Sequence, residues 1–347
     1  MKLSMVELSP VPPGGSAIEA FADSIDLAQR AEAWGYSRFW VAEHHGGGAG
    51  NAGSTPEVLI ARIAAETAHI RVGSGTVLLN HYSPYKVAET FRVLHAMSPG
   101  RIDLGLGRAN GLPVADYALQ RDRSAIQRFD DYPQQVAEVL SWLGGVFPGD
   151  HPFSQIRITP GTPGNPEPWV LGSSPDSAVV AGTLGLRYCF AGFINPRAAI
   201  TAAQTYREHF RPSSFPDGIA EPYVALGINV TCAETDAEAA RLRSSVELFY
   251  RQLRSGTLPT GLPAPEEAIA ALGGVPGPSQ VRPGSWSQHI SGGPDTIRDM
   301  LQIMADDLGA EEIVLQDMIA RREDRLRSYA LLADTFELSA PATARAS

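Results

Sequence analysis

Trp40-Val41-Ala42-Glu43-His44-His45 closes an apolar run on a carboxylate and two adjacent imidazoles, and the nearly side-chain-free stretch GGGAGNAG follows at 46–53. Imidazole changes charge near neutral pH, so such a pair suits a metal site, a proton-transferring base or simply a polar strand end. Strand alternation places Trp40, Ala42 and His44 on one face and Val41, Glu43 and His45 on the other. A strand here points one of the two histidines inward, unless it has already ended at His44.

Other apolar runs end on residues that bear chemistry: Ser9 and Pro10, Asn80 and His81, Gly107 and Arg108, Gly172-Ser173-Ser174, Asn195, and Gln316 with Asp317. A metal site fails on counting. Barrel metallohydrolases bring an HxH pair from the first strand and further ligands from later strand ends. Here the first run ends in ELSP, the pair is HH, and beyond His81 no histidine stands at a suitable strand end, so no metal is expected.

Two stretches suit a phosphate. In GSSPDSAVVAGTLG (172–185), backbone N–H groups and the Ser173 and Ser174 hydroxyls would meet an anion at a helix start; the same residues also suit a plain N-cap. GGPDTIRD (292–299) has the same logic and the same alternative. GLGRANG (105–111) resembles a dinucleotide loop, but Pro113 and the lack of an apolar helical pattern after it argue against a Rossmann turn. Arg108 fits better as a side-chain cation for a phosphate or a flavin edge.

The elements that position these residues alternate regularly. Short Val/Ile/Leu/Phe runs at 2–8, 37–43, 70–79, 101–107, 168–172, 187–193, 222–232 and 311–318 are each followed by a helical pattern, the fourth after an Arg-rich loop at 108–124. Eight such units predict a single (β/α)8 TIM barrel over 1–340 with a frayed tail at 341–347; a doubly wound sheet is the competing arrangement. In a parallel barrel the carboxyl ends of the strands carry the chemistry. The Gly/Pro-rich stretch 255–293 breaks the rhythm between strands seven and eight and is too long for an ordinary connection, so either a functional lid or a disordered segment is expected there, and the lid is the reading carried forward.

Composition narrows the classes. The chain has 347 residues, 44% hydrophobic and 19% charged, with a net charge of −10 and scattered cations, which argues against nucleic-acid partners. Cys189 and Cys232 lie in apolar runs and read as inert core thiols. No signal-peptide pattern or long apolar run is present, so a cytoplasmic location and no membrane partner are expected.

The segments LSPVPPGG, AEAWGYSRFWVAEHH, GRIDLGLGR, VLGSSPDSAVVAGTLGL and RLRSYALLADTFEL, spread over the barrel, resemble the bacterial luciferase-like monooxygenase family. Within it the chain is most similar to a subgroup of polyketide-tailoring oxygenases. The resemblance implies a flavin-dependent monooxygenase that takes reduced FMN (FMNH2) from a separate NAD(P)H:flavin reductase. It would insert one atom of O2 into an organic substrate, such as a polyketide, through a flavin C4a-(hydro)peroxide. His44 matches the catalytic histidine and His45 its less essential neighbour. Ser74-Gly75 falls where the family holds a non-prolyl cis peptide under the flavin ring. Arg108 and Ser174 match phosphate- or flavin-contacting positions, with Ser173 beside them and Arg121 as second phosphate arginine. The family also implies a homodimer. GGGAGNAG replaces a bulkier sequence, which implies a wider pocket over His44. Trp286, on the expected lid, and the glycine wall suggest a bulky, partly aromatic substrate. Two rivals are a deazaflavin F420-dependent oxidoreductase of the same fold and a non-catalytic flavin-binding protein.

Overall fold

A computed structural model describes residues 1–46, 50–108, 113–119, 131–213, 215, 218–257 and 261–340. The chain runs β1 (Lys2–Glu7), α1 (Ala17–Trp34), β2 (Arg38–Val41), α2 (Pro56–Glu66), β3 (Arg71–Ser74), β4 (Val77–Leu78), α3 (Pro84–Met97) and β5 (Ile102–Gly107). It continues with α4 (Pro113–Leu119), α5 (Tyr132–Gly144), β6 (Glu167–Gly172), α6 (Pro175–Thr183), β7 (Arg187–Ala191), α7 (Ala199–His209), β8 (Val224–Cys232) and α8 (Asp236–Arg254). The closing part holds α9 (Pro265–Leu272), β9 (Val281–Arg282), β10 (Ser285–Trp286), β11 (His289–Gly292), α10 (Pro294–Leu308), β12 (Glu312–Gln316) and α11 (Arg322–Thr335).

Eight parallel strands close in the order β1-β2-β3-β5-β6-β7-β8-β12, and β12 returns to β1 with Lys2 opposite Glu312 and Met5 opposite Leu315. The expected barrel is therefore the observed one. Its strands are buried on both faces, which is why they read as unbroken apolar runs. Helix ends carry the local signals that stop and start them. Ser16 and Glu19 form a capping box on α1, and Gly35 ends that helix at φ 89°, a left-handed conformation open to glycine.

Two apolar layers form the core. Between sheet and helices lie Ile60, Phe91, Leu104 and Ile313; inside the barrel, Trp40 meets Trp169 at 5.0 Å beside Cys189, Ala225 and Val314. Cys189 and Cys232 are free, buried thiols, and burial pushes both above the usual thiol range. Beneath this layer, at the amino ends of the strands, Arg38 pairs with Asp103 (2.8 Å), Glu167 (2.8 Å) and Glu312 (3.0 Å). Trp40 Nε1 donates to Asp103 Oδ2 at 2.9 Å, and Arg71 and Tyr223 join the same lattice. Removing one partner from such a buried network costs about 3–5 kcal/mol.

Three expectations change. The run 70–79 is not one strand: a cis peptide at Gly75–Thr76 separates β3 from β4. Part of the expected loop 108–124 is a helix, α4. The stretch 255–293 is largely ordered structure, with α9, the β9–β10 hairpin, and β11 pairing in parallel with the far half of β8. Buried Arg243 of α8 straps it down by donating to Ser279 Oγ (2.6 Å) and the Gly277 carbonyl. No helix among the described residues is long and apolar enough to cross a membrane.

Candidate functional site

A cavity of about 1100 Å³ opens at the carboxyl ends of the barrel strands. His44 stands in its wall. Trp40 and Ala42 pack inside the barrel and Val41 outside it, but β2 ends at Val41 and both His44 and His45 line the cavity, so alternation does not separate the two histidines. The His44 side chain is exposed and open to the cavity, with protein atoms crowded around it. Burial holds its pKa below the ordinary histidine value, with His45 adding to the effect and Glu43 opposing it. Imidazole in the neutral form is the consequence near pH 7.

Glu43 organises the neighbourhood. It is 3% exposed and accepts hydrogen bonds from His45 Nε2 (2.6 Å), the Tyr82 hydroxyl (2.7 Å) and the Leu78 amide (2.9 Å). The same residue therefore fixes the second histidine, the β4 backbone and the turn after it. Behind His45, the His81 ring lies edge-on at 6.2 Å, and His81 Nε2 is 3.2 Å from Asp116. Among the described residues no group of three or more His, Cys, Asp or Glu side chains is placed to hold a metal.

The glycine-rich loop is anchored by its backbone. His44 N donates to Gly53 O (2.9 Å), Ala52 N to Ser9 O (2.8 Å) and Val11 N to Gly50 O (3.0 Å). A Cβ on Gly53 would lie 3.1 Å from Ala42 O and 3.2 Å from Leu8 O, so glycine permits this close approach of chains. Residues 47–49 of the loop lie outside the described residues.

The expected cofactor residues separate. Gly75 lines the cavity with Thr76, and the cis bond joins these two, one peptide later than expected. Ser74 does not line it: its hydroxyl is buried between strands, donating to Gly105 O (2.9 Å) and accepting from Gly105 N (3.0 Å). Arg108, Ser173 and Ser174 all face the cavity. Ser174 is the N-cap of α6 but its hydroxyl makes no capping bond, which leaves it available to a ligand. A helix start with two hydroxyls beside an arginine suits an anion, although Asp176 on the same turn also lines the wall. Arg121 lies outside the described residues.

The other phosphate and nucleotide candidates fall elsewhere. The start of α10 is closed by Asp236 Oδ1, which accepts from Gly293 N at 2.7 Å, and no residue of 292–299 lines the cavity. Gly105 and Gly107 serve close strand packing: a Cβ on Gly105 would lie 2.1 Å from Ser74 O, and one on Gly107 2.3 Å from Thr76 Oγ1. Trp286, expected over the pocket, instead donates to Asp307 Oδ2 on α10 at 2.9 Å. No described residue of 261–293 lines the cavity.

Sequence reasoning missed the apolar half of the wall, where Phe249, Tyr250 and Leu253 of α8 face Leu8, Phe193 and Met318. A signal was present. Leu248-Phe249-Tyr250 is wider than the single stripe an outer barrel helix needs, and the excess covers the mouth.

Comparison with known proteins places this architecture. Residues 1–323 match the family described as "Luciferase-like monooxygenase". The crystal structure of apo-MsnO8 superposes with a TM-score of 0.86 at 45% identity, covering 97% of this chain and 98% of that one. A luciferase-like monooxygenase of Escherichia coli (strain K12) is 36% identical over 96% of both chains. The N-acetyl-S-alkylcysteine monooxygenase of Bacillus subtilis (strain 168) is 33% identical over 96% of this chain and 98% of its own.

Proposed function

This chain belongs to the luciferase-like monooxygenase family, and on that premise we propose that it is an FMN-dependent, two-component enzyme that adds one oxygen atom from O2 to an organic substrate. The observation that carries the proposal is the cavity itself. One wall offers His44, the small residues Gly75 and Gly107, and an anion cradle of Arg108, Ser173 and Ser174. The other wall is apolar.

These residues fit a flavin mononucleotide. The free Ser174 hydroxyl and the α6 amides suit its phosphate, with Arg108 as counter-charge. The backbone of Gly75, Thr76 and Gly107 lines the cavity where a flat ring would lie. Reduced FMN supplies the electrons and the position at which O2 is activated. The protein supplies the rest. His44, held neutral by its surroundings, accepts or returns a proton through a ring nitrogen open to the cavity. Glu43 orients His45 beside it and ties down Leu78. Phe249, Leu253 and Met318 keep water from the reacting atoms.

Reduced flavin would come from a separate NAD(P)H:flavin reductase, which fits a cytoplasmic enzyme. Apolar side chains left exposed on α1, α2 and α3 (Ile18, Val58, Val93 and Met97) support a homodimer built on these helices. The stretch 255–293 is kept as the candidate lid, with Leu262 packed on the barrel-interior cluster.

The test is a titration of the purified protein with FMN and with F420, followed by oxygen consumption when each is supplied reduced. Binding of FMN with oxygen uptake supports the proposal. Uptake of F420 alone, without oxygen consumption, replaces it with a hydride-transferring enzyme, and binding of neither removes the flavin.

A further inference from the structure

The rim of the barrel divides the cavity in two. Gly75, Thr76, Arg108, Ser173 and Ser174 all follow β3, β5 or β6. On the far side, β12, β1 and α8 supply Gln316, Leu8, Phe249, Tyr250 and Leu253. A flavin held by the first group leaves the second for the substrate. Its walls are aromatic and aliphatic, a lining that favours flat, ring-containing molecules.

One polar cluster interrupts that lining. Gln316, the last residue of β12, is 2% exposed, lines the cavity, and its Nε2 has no hydrogen-bond partner. Tyr250 stands beside it with its phenol near the Gln316 and Asn229 amides, and its ring lies 4.7 Å from that of His289. Asn229 Nδ2 is bound to His289 Nδ1 at 2.9 Å, which holds the group in place, while Asn229 Oδ1 and His289 Nε2 are also unmatched. Gln316 of β12 and the half-buried Tyr250 of α8 thus reach the cavity wall together, backed by the buried Asn229 of β8 and His289 of β11. Buried polar groups are nearly always paired, so the unmatched Gln316 Nε2 at the cavity wall calls for a ligand or ordered water.

We propose that Gln316 and Tyr250 form a substrate subsite that binds a hydroxyl group carried on an aromatic, ring-fused molecule. A hydroxyl donates and accepts at once, so it matches a carboxamide and a phenol together whichever way the amide lies. The apolar wall of Leu8, Phe249 and Met318 holds the rings. The subsite rests on the monooxygenase reading only in calling its ligand a substrate. Its chemistry follows from the cavity alone.

The test compares 1-naphthol with 1-methylnaphthalene, which have nearly the same shape and differ by the hydroxyl. Their affinities for the full chain are measured by calorimetry with and without FMN. The native protein should prefer 1-naphthol at least tenfold. In Gln316→Leu the preference should drop below threefold, with methylnaphthalene and FMN affinities unchanged. Tyr250→Phe, which keeps the ring, should lower the preference part of the way and decides the matter if the Leu variant does not fold. Equal affinities in the native protein, binding of neither probe, or a preference that survives both substitutions overturns the subsite and marks the cluster as water-filled structure. Failure of FMN to bind would sink the flavin proposal while leaving the probe comparison readable.

Discussion

His45 Nε2 lies 2.6 Å from Glu43 Oε1, so the histidine next to the cavity-facing His44 is tied to a buried carboxylate. That carboxylate also receives Tyr82 and the Leu78 amide, which joins both histidines to the wall formed by β4. Glu43→Ala would leave three donors unmatched at once. It should lower the unfolding free energy by about 2–5 kcal/mol, and Glu43→Gln by less. Urea denaturation measures this, and a loss below about 1 kcal/mol would show that Glu43 is not the organising acceptor.

His44→Ala removes the ring from the cavity wall without opening the core. The fold and FMN affinity should persist. Coupled product should fall about a hundredfold or more, with nearly all consumed oxygen recovered as hydrogen peroxide. A peroxide assay run beside an oxygen electrode gives the answer. Undiminished coupling would take His44 out of the mechanism.

Arg108 and Ser174 are assigned to a phosphate, and a ligand lacking that group reads the assignment directly. Arg108→Ala should weaken FMN about ten- to hundredfold while riboflavin changes little. Ser174→Ala should act in the same direction and more weakly. Equal losses for both ligands would move these residues from the phosphate to the ring.

Asp317 gives a pH signature. Burial raises its carboxyl to about 7 while Arg325 pulls the other way. Its folded value exceeds the unfolded one of about 3.9, so stability is full below that pH and falls as pH rises towards 7. Asp317→Asn should therefore be more stable than the native chain by about 1–4 kcal/mol at pH 8, a gain that shrinks steadily towards pH 4. His289 runs oppositely. Its pKa is lowered to about 3 by burial, Arg243 and Arg254, so stability is lost as pH falls below about 6.5. Urea midpoints across this range separate the two slopes.

Much of the barrel was legible because its strands are buried on both faces and its helices begin on Pro56, Pro175 and Pro294. Alternation predicted the facing of Trp40, Val41 and Ala42 but not that of the histidines, since β2 ends at Val41 and both His44 and His45 line the cavity. Contacts between distant segments did not show. Nothing local in Ser74 reveals that its hydroxyl is used by Gly105, and nothing in 273–293 reveals the strap from Arg243. Tyr250 escaped because helical periodicity describes one buried stripe, whereas the end of α8 faces both the barrel and its mouth. Trp286 misled for the same reason: its hydrogen-bond partner, Asp307, lies on another helix.

The charged lattice around Arg38, roofed by Trp40 and Trp169, plugs the lower end of the barrel. Among the described residues the barrel is filled at that end, so a ligand of the cavity would enter past the carboxyl ends of the strands and leave the same way.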